Sequence, residues 1–301
     1  MSFDVVGLGL CAWDTICLLH RYPGPNQKVE VKACATSGGG PVPTALAVFS
    51  RLGGRASYVG VVGDDVEGEK IRRDLQNYAV DTSHLLIRPG KKTPCAYIWV
   101  DGTTGQRTVA LNPGDTPSLE AAELPVKLLK SAPLLLIDGR VAGVCYHAAT
   151  ICRQGGGKVI LDAGSPREEI NRLLAVTDHA VVSDDFASGT FPGQDAEEAV
   201  HRIREMGPKA VVMTQGERGG LWLEDHSEDR YSAYEVSVLD TTGAGDAFHG
   251  AYLFGLKSGW DMDRRCRFAS AVAALVCRGL GGRASAPTLK EALSFMQNPI
   301  Q

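Results

Sequence analysis

The chain has 301 residues, of which 44% are hydrophobic and 22% are charged. This length and composition fit one large α/β domain with a small appendage and argue against disorder. The formal net charge is −4, so the chain lacks the basic excess that binding along a nucleic-acid backbone requires. Glycine is abundant: its 35 residues are about 12% of the chain, against a usual share of about 7%. Because no G-X-Y period exists, the excess belongs to turns and to loops where a ligand approaches the backbone.

Eight cysteines occur without a CxxC pair, and several lie in apolar segments. A chain of this length can bury a core without disulfides, so we expect reduced, buried thiols and a cytoplasmic location. The amino terminus has no basic segment followed by a long apolar run, which argues against a signal peptide. No run approaches the roughly 18 apolar residues of a membrane span. Neither a membrane nor a nucleic acid is therefore an expected partner.

In chain order, apolar segments alternate with helical patterns. The first half predicts strands at 3–10 and 58–62 and helices at 43–52 and 66–78. The second half predicts strands at 134–137, 158–161, 179–182 and 210–214, helices at 141–153, 167–174 and 195–205, an antiparallel pair at 221–223 and 231–234, and closing helices at 244–257, 262–277 and 288–296. Strand–helix–strand repeats of this spacing predict a mainly parallel sheet with helices on both faces, which is a three-layer α/β/α core.

Two β-rich stretches, about 15–36 and 93–111, do not fit this alternation. The second contains the turn sequence DGTTG at 101–105, which predicts a β-hairpin. We expect both stretches to form one small sheet, called the lid here, over the carboxyl ends of the parallel strands, where α/β proteins bind ligands. The chain, 1–301, is then a single domain with the lid segments inserted into its core.

The first strand ends in Gly7-x-Gly9-x-x-Ala12, which imitates a dinucleotide-binding fingerprint. The context argues against that function, because no helix is predicted at Ala12. The acidic residue that should close a second strand is also missing, apart from Glu30. The sequence contains no GxxxxGK[ST] motif either, so a P-loop is excluded.

The sequence DTTGAGDAF at 240–248 joins a short extended segment, 236–239, to an apolar helix. Gly243 and Gly245 let the backbone approach a ligand closely. With Ala244 they form a helix start that offers free N–H groups and the positive end of the helix dipole. Asp246 stands where it can accept a proton beside this anion site. Phosphoryl transfer needs both parts, a cradle of donors for the moving group and a carboxylate for the nucleophile's proton.

With SGGG at 37–40 and VGDD at 62–65, in order and at the right spacing, this motif closely resembles the PfkB (ribokinase-like) family of carbohydrate kinases. The resemblance covers nearly the whole chain. It implies a ribokinase-like α/β/α core with a β-sheet lid. It also implies MgATP as donor and transfer of the γ-phosphate to a primary hydroxyl of a ketose-like sugar.

The resemblance also implies roles for individual residues. Asp246 would be the general base, and 243–246 the anion hole. Asp14 would bind sugar hydroxyls, and Gly39 and Gly40 would face the sugar, where a side chain would collide.

Further roles follow for the nucleotide and for a cation. The loop TQGERG at 214–219 resembles the family's nucleotide loop. A second site, which the 276–285 loop completes, resembles the family's monovalent-cation site and implies K⁺. The residues implied for the nucleotide are Ser183, Thr214, Gly216 and Gly219. Those implied for the cation are Asp240 and Thr242.

The chain departs from the family pattern at two places. The first motif usually carries Asn where Pro43 stands here, so one sugar hydrogen bond is lost or supplied elsewhere. The family's NxxE motif should fall near 183–186, where this chain has SDDF. Asp184 or Asp185 would then act on Mg²⁺ through water. Neither departure touches the base or the anion hole, so we expect an active kinase.

Within the family, GGGP at 38–41, the extended motif at 240–251, RFAS at 267–270 and GGRA at 281–284 resemble the sulfofructose kinases. Those enzymes hold the substrate's sulfonate with Lys, Asn and Arg, and the matching residues here are Lys28, Asn112 and Arg140. Two cations and a neutral donor suit one fixed negative charge. We therefore expect an anionic sugar such as 6-deoxy-6-sulfofructose. Taken singly, Lys28 also fits a solvated lysine, Asn112 a turn residue, and Arg140 an arginine at a helix start.

Three alternatives stay open. The first is a kinase for a neutral sugar, fructose or ribose, or for 2-keto-3-deoxygluconate. The second is a nucleoside kinase whose base slot would use Tyr97 and Trp99. The third is a catalytically silent sugar-binding protein, against which the intact Asp246 argues. Exposed lid strands invite pairing, and related kinases often dimerise through them, so we also expect a homodimer.

Overall fold

The computed structural model describes residues 2–298, and its strands form two sheets. In chain order the strands are β1 (Val5–Leu8), β2 (Ala12–Leu19), β3 (Val31–Gly39), β4 (Ala56–Gly63), β5 (Asp81–Arg88), β6 (Cys95–Asp101), β7 (Arg107–Asn112), β8 (Leu134–Ile137), β9 (Lys158–Ala163), β10 (His179–Ser183), β11 (Ala210–Thr214), β12 (Gly220–Glu224) and β13 (Ser227–Tyr231). The α-helices are α1 (Pro41–Arg51), α2 (Val66–Asn77), α3 (Val126–Ser131), α4 (Ala142–Gln154), α5 (Ile170–Leu174), α6 (Asp184–Thr190), α7 (Ala196–Glu205), α8 (Ala244–Lys257), α9 (Met262–Val276) and α10 (Leu289–Gln297).

The main sheet has nine strands in the order β13-β12-β11-β10-β9-β8-β1-β4-β5. Neighbours from β11 to β5 pair in parallel, and β12 and β13 extend one edge antiparallel. Successive strand residues face opposite helix layers, as Val5 and Val6 show by joining different core clusters. One cluster packs α1, α2 and α8–α10, and the other packs α3–α7. The predicted three-layer α/β/α core is confirmed.

The lid is a separate four-stranded sheet in the order β3-β2-β6-β7. Its inward side chains form a small apolar cluster that packs against Leu239 and Leu280 of the core. The hairpin turn between β6 and β7 also rests on the core, because the Gly105 carbonyl accepts hydrogen bonds from Thr241 N and Oγ1, each at 3.1 Å. These contacts place the lid directly beside the loop that leads into α8.

Several local predictions need correction. Strand β5 was not predicted, because it is an edge strand with a partly exposed, polar sequence. The lid begins earlier than predicted, at Ala12, and β3 continues through Gly39, so the SGGG segment ends a strand before α1 begins. Segment 236–239 is not a strand.

Two further expectations concern the cysteines and the membrane. Five of the eight free cysteines are buried, but Cys17 and Cys95 are half-buried and Cys34 is exposed. The expectation of buried thiols is therefore wrong for these three, which all belong to lid strands. Among residues 2–298, none of the helices has the length and apolar character that crossing a membrane demands.

Candidate active site

The anion-site loop lies at the start of α8. Gly243 is the helix N-cap with φ of 75°, a backbone conformation that an L side chain adopts only with strain. A Cβ on Gly243 would also overlap Gly282 Cα. Helix α8 then begins at Ala244, so the N–H groups and positive dipole end of its first turn are concentrated beside Gly245 and Asp246.

Asp246 occupies that first turn and is half-buried. Loss of solvent raises the pKa of its carboxyl, while nearby positive charges on His249, Arg107, Arg283 and Arg140 oppose the rise. A carboxylate held by burial and basic neighbours suits a proton acceptor. His249 is buried on the same helix, with Nδ1 2.7 Å from the Gly245 carbonyl and Nε2 3.5 Å from Asp162 Oδ1.

Asp14 projects from lid strand β2 and is 8% exposed. Burial raises its pKa to about 7, a rise that the charges of Asp246 and Asp74 increase and that of Arg283 decreases. The charge of Asp246 thus acts on Asp14, so the predicted base lies near enough to the predicted sugar ligand to influence its protonation.

Gly39 and Gly40 lie next to Asp14, but protein atoms explain why they are glycines. A Cβ on Gly39 would overlap the Asp14 carboxylate, and a Cβ on Gly40 would overlap the Leu10 carbonyl. Gly40 also has φ of 95°. A side chain at either glycine would therefore collide with the protein itself, and the predicted contact of these glycines with a sugar stays a prediction.

A cavity of about 480 Å³ opens near the carboxyl ends of β1 and β8, and neither Asp14 nor Asp246 is among the residues that line it. Its wall includes Gly9 and Cys11 at the end of β1, the 113–119 loop, Asp138 and Arg140. The buried Asp138 carboxylate accepts hydrogen bonds from Leu10 N at 2.8 Å and Arg140 N at 3.0 Å. These bonds fix the cavity wall on which Arg140 stands.

The three residues of the predicted anion pocket differ in placement. Arg140 lines the cavity, and Asn112 directly precedes the 113–119 loop that lines it. The Asn112 side chain accepts a hydrogen bond from Gly114 N at 3.1 Å, so it also builds a turn. Lys28 lies on the exposed lid loop and is not on the cavity wall.

Sequence reasoning missed two basic residues, Arg167 close to Arg140 and Arg107 close to Asp246. Arg167 is half-buried, its Nε has no hydrogen-bond partner in the described structure, and burial together with the charge of Arg140 lowers its pKa. Arg107, on β7, donates to the Thr241 carbonyl at 3.3 Å. Neither belongs to a motif, so only the tertiary structure could indicate them.

The predicted nucleotide residues gather at the carboxyl ends of β10 and β11. Ser183 and Thr214 are register partners on these strands. Ser183 Oγ donates to the Gly164 carbonyl at 3.0 Å and caps α6. Gly216 and Gly219 shape the following turn with φ of 58° and 82°. This edge is where an open parallel sheet binds ligands.

The predicted cation residues differ in their surroundings. Asp240 is fully buried and accepts from Thr242 N and Gly281 N, each at 2.8 Å, while the buried Thr242 Oγ1 has no partner. Asp184 instead pairs with Arg218 at 2.7 Å. Within residues 2–298, no group of three acidic, histidine or cysteine side chains could hold a metal.

The possible base slot at Tyr97 and Trp99 is not formed. These side chains alternate along β6 with the inward-facing Ala96, Ile98 and Val100, so they point to the outer face of the lid. They are 53% and 47% exposed.

Proteins of known structure share this fold, and curated relatives match the sequence over nearly its whole length. The ribokinase of Arabidopsis thaliana, solved with ribose and ATP, superposes with a TM-score of 0.84 at 23% identity, covering 99% of each chain. A nucleoside kinase of Methanothermobacter thermautotrophicus is 29% identical over 296 residues, covering 96% of this chain and 94% of the relative. A 5-dehydro-2-deoxygluconokinase of Shouchella clausii is 28% identical, covering 98% and 96%.

A ribokinase-like α/β/α fold with its lid, and this helix start at the strand ends, define a phosphotransferase that acts on hydroxyl groups. The sequence profile described as "pfkB family carbohydrate kinase" matches residues 3–289. The chain belongs to the pfkB family of carbohydrate kinases.

Proposed function

We propose that this kinase transfers the γ-phosphate of ATP to a primary hydroxyl of an anionic, ketose-like sugar, of which 6-deoxy-6-sulfofructose is an example. The observation that carries the proposal is the position of Arg140 on the wall of the cavity of about 480 Å³ near the carboxyl ends of β1 and β8. A guanidinium is well suited to a sulfonate, phosphate or carboxylate. The partly buried Arg167 adds a second positive charge close to Arg140.

The reaction centre would be Asp246 and the start of α8. As the sugar hydroxyl attacks the γ-phosphorus, its proton passes to Asp246, and the bond to the ATP leaving oxygen breaks. The N–H groups at Gly243, Ala244 and Gly245 stabilise the charge on the transferring group. Asp14, Gly39 and Gly40 hold the sugar, and Ser183, Thr214, Gly216 and Gly219 bind the nucleotide.

Two cations fit this site in different ways. Mg²⁺ keeps several waters and binds largely to nucleotide phosphates, so Asp184 or Asp185 acting through water suits the lack of an acidic cage in residues 2–298. K⁺ would be held at Asp240 and Thr242, because Thr242 Oγ1 is a buried oxygen without a partner in the described structure. It would stabilise the anion-site loop electrostatically.

The general-base role is tested by Asp246→Asn in an ATP-turnover assay against ketoses, sulfosugars, ketodeoxy acids and nucleosides. Turnover should fall by about 10³-fold, since the amide keeps the shape of the side chain but cannot accept the hydroxyl proton, while sugar and ATP binding persist. Asp225→Asn, on an exposed turn with φ of 53° that Asn tolerates, is the matched control. Turnover retained by D246N would contradict the role of Asp246.

The anionic substrate is tested by Arg140→Ala. This variant should lose at least about 10-fold more kcat/KM on an anionic sugar than on a neutral ketose, because a charge-assisted bond is worth more than a neutral one. Arg202→Ala, on the exposed face of α7, controls for the loss of an arginine. Equal losses on both sugars would refute the anion pocket.

A nucleoside is the second candidate. The nucleoside kinase of Methanothermobacter is among the relatives, and a cavity of about 480 Å³ lies within the range of small-molecule pockets. The same substrate panel decides between them, since adenosine or another nucleoside turning over faster than every sugar would favour this alternative. Turnover of none would favour a silent sugar-binding protein.

We also infer a homodimer that pairs the outer faces of two lids. Tyr97 and Trp99 leave a large aromatic surface on that face, and exposed apolar patches mark interaction sites. Sedimentation velocity should show a dimer that Trp99→Asp converts to a monomer. A monomeric wild type at micromolar concentration would contradict the inference.

A further inference from the structure

Arg283 is among the largest fully buried side chains of the structure, with 1% exposure. It lies between α9 and α10, within the 276–285 loop, and its side chain has none of the roles assigned above. Its guanidinium binds three separate elements: Nε donates to Thr44 Oγ1 on α1 at 3.2 Å, Nη2 donates to the Gly39 carbonyl on β3 at 3.1 Å, and Nη1 pairs with Asp74 on α2. A buried charge with this many partners is held in one geometry.

The Gly38-Gly39 segment is enclosed from both sides. A Cβ on Gly38 would overlap the Arg283 guanidinium, and a Cβ on Gly39 would overlap the Asp14 carboxylate. Successive strand residues face opposite sides of a sheet. Arg283 and Asp14 therefore contact opposite faces of the same two glycines, and the guanidinium supports the backbone against which Asp14 rests.

The residues just before Arg283 contact the anion-site loop. Gly281 N donates to Asp240 Oδ2 at 2.8 Å, and Gly282 lies directly against Gly243. A stretch of three residues thus joins the loop at the start of α8 to the end of β3.

Arg283 also acts on the carboxylates electrostatically. Its charge lowers the pKa of Asp14 and of Asp246, which burial raises. The other groups whose charges act on Asp14 are acidic: Asp246 on α8 and Asp74 on α2. Burial and, to a smaller extent, the charge of Asp14 raise the pKa of Cys95 on β6. Among these neighbours Arg283 alone favours the ionised form of Asp14.

We propose that Arg283 is a positioning residue for the transfer reaction, fixing the end of β3, against which Asp14 rests, at a set distance from the anion-site loop. The proposal rests on the proposed function, in which Asp14 binds the sugar and Asp246 accepts the proton of the sugar hydroxyl. It predicts that a change at Arg283 affects the sugar far more than the nucleotide.

The test compares Arg283→Met, Arg283→Lys and Asp74→Asn in steady-state kinetics from pH 5.5 to 9. R283M should lower kcat/KM for the sugar by about 100-fold, because small displacements of reacting groups cost that much, with the KM for ATP changed less than about 3-fold. The acid limb of kcat/KM should move to higher pH. R283K, which restores the charge without the fork of donors, should return the limb toward the wild type while recovering only part of the rate.

Asp74→Asn gives the opposite shift. The Asp74 charge raises the pKa of Asp14, so its removal should move the acid limb to lower pH while the amide still accepts from Arg283. If the Arg283–Asp74 pair only stabilised the fold, the acid limb of kcat/KM would move in the same direction in R283M and D74N, or would not move. Such a result would overturn the proposal.

Arg265→Met is the matched control. Arg265 is also buried and paired with Glu224, but it lies beside Tyr252 and His179, at the opposite ends of the strands. It should lower thermal stability without changing the acid limb or the sugar KM. If R283M does not fold at the assay temperature, the acid limbs of R283K and D74N still test the proposal. Turnover retained by D246N would overturn the proposed function, whereas an inactive D246N with wild-type kinetics and pH limb in R283M, R283K and D74N would overturn this inference alone.

Discussion

Replacing Gly243 by Ala tests whether close packing of two glycines sets the anion site. Gly243 has φ of 75°, and a Cβ there would approach Gly282 Cα to well under 3.0 Å, a separation that real Cβ atoms essentially never show. The obstacle is backbone, so no flexible side chain can move aside. Either Gly243 or Gly282 must therefore move, by roughly 1 Å to restore ordinary van der Waals contact.

Two separate costs follow. The positive φ costs about 1–2 kcal/mol for an L residue. The displacement moves the N–H groups at the start of α8, and roughly 1 Å of misplacement costs about 100-fold in rate. Gly259→Ala separates the two effects, because Gly259 has φ of 69° with nothing within 4 Å of its Cβ position. G259A should lose stability only through the strained φ and should keep the kcat of the wild type.

Urea unfolding and kcat under saturating ATP and sugar measure the two costs. We expect both variants to lose about 1–2 kcal/mol from strain, with G243A losing more, and only G243A to lose about 100-fold in kcat. A G243A enzyme with wild-type kcat would refute the reasoning that the Gly243–Gly282 contact positions the anion site. An equal kcat loss in G259A would show that strain alone is responsible.

Three further outcomes are expected. Arg88 lowers the pKa of Glu123 to about 2, so this pair stabilises the fold fully above the unfolded pKa of about 4.5 and loses that effect as pH falls toward 2; in urea melts the advantage of the wild type over Glu123→Gln should be smaller at pH 3 than at pH 7. Burial lowers the pKa of His179 to about 3, so the neutral ring, bound to Tyr252 OH at 2.9 Å, contributes fully above pH 6.5 and progressively less below it; the wild-type advantage over His179→Asn in thermal melts should shrink over that window. Asp14→Asn should raise the sugar KM by about 10-fold or more, the scale of one hydrogen bond to a charged group, with the ATP KM unchanged in initial-rate kinetics.

Much of the fold could be predicted from local pattern. Strands β8 to β11 are continuous apolar runs because both faces of a parallel sheet are covered, so their positions were predicted closely. Strand β5 could not be found this way, because its partly exposed, polar residues look like a loop. The end of β3 could not be found this way either, since glycines that begin a helix and glycines that end a strand look alike in sequence.

The residues of the site likewise fall into those that local sequence indicates and those that only the fold identifies. Asp246 and its glycines are contiguous, so a phosphate-binding helix start with an acid beside it is readable from the chain alone. Whether Tyr97 and Trp99 face the site was decided by the alternation of β6, which sends them outward. Arg167 and Arg283 belong to no local pattern, and their importance comes from burial and from partners distant in sequence.

The sequence by itself determined the α/β class, the lid and the helix start with Asp246, because each depends on neighbours along the chain. It also pointed to glycine as the residue in excess. Only the tertiary structure decided what many of those glycines contact: Gly38 meets Arg283, Gly39 meets Asp14, and Gly243 meets Gly282. These contacts join segments far apart in the chain, so their geometry comes from packing and no local pattern could supply it.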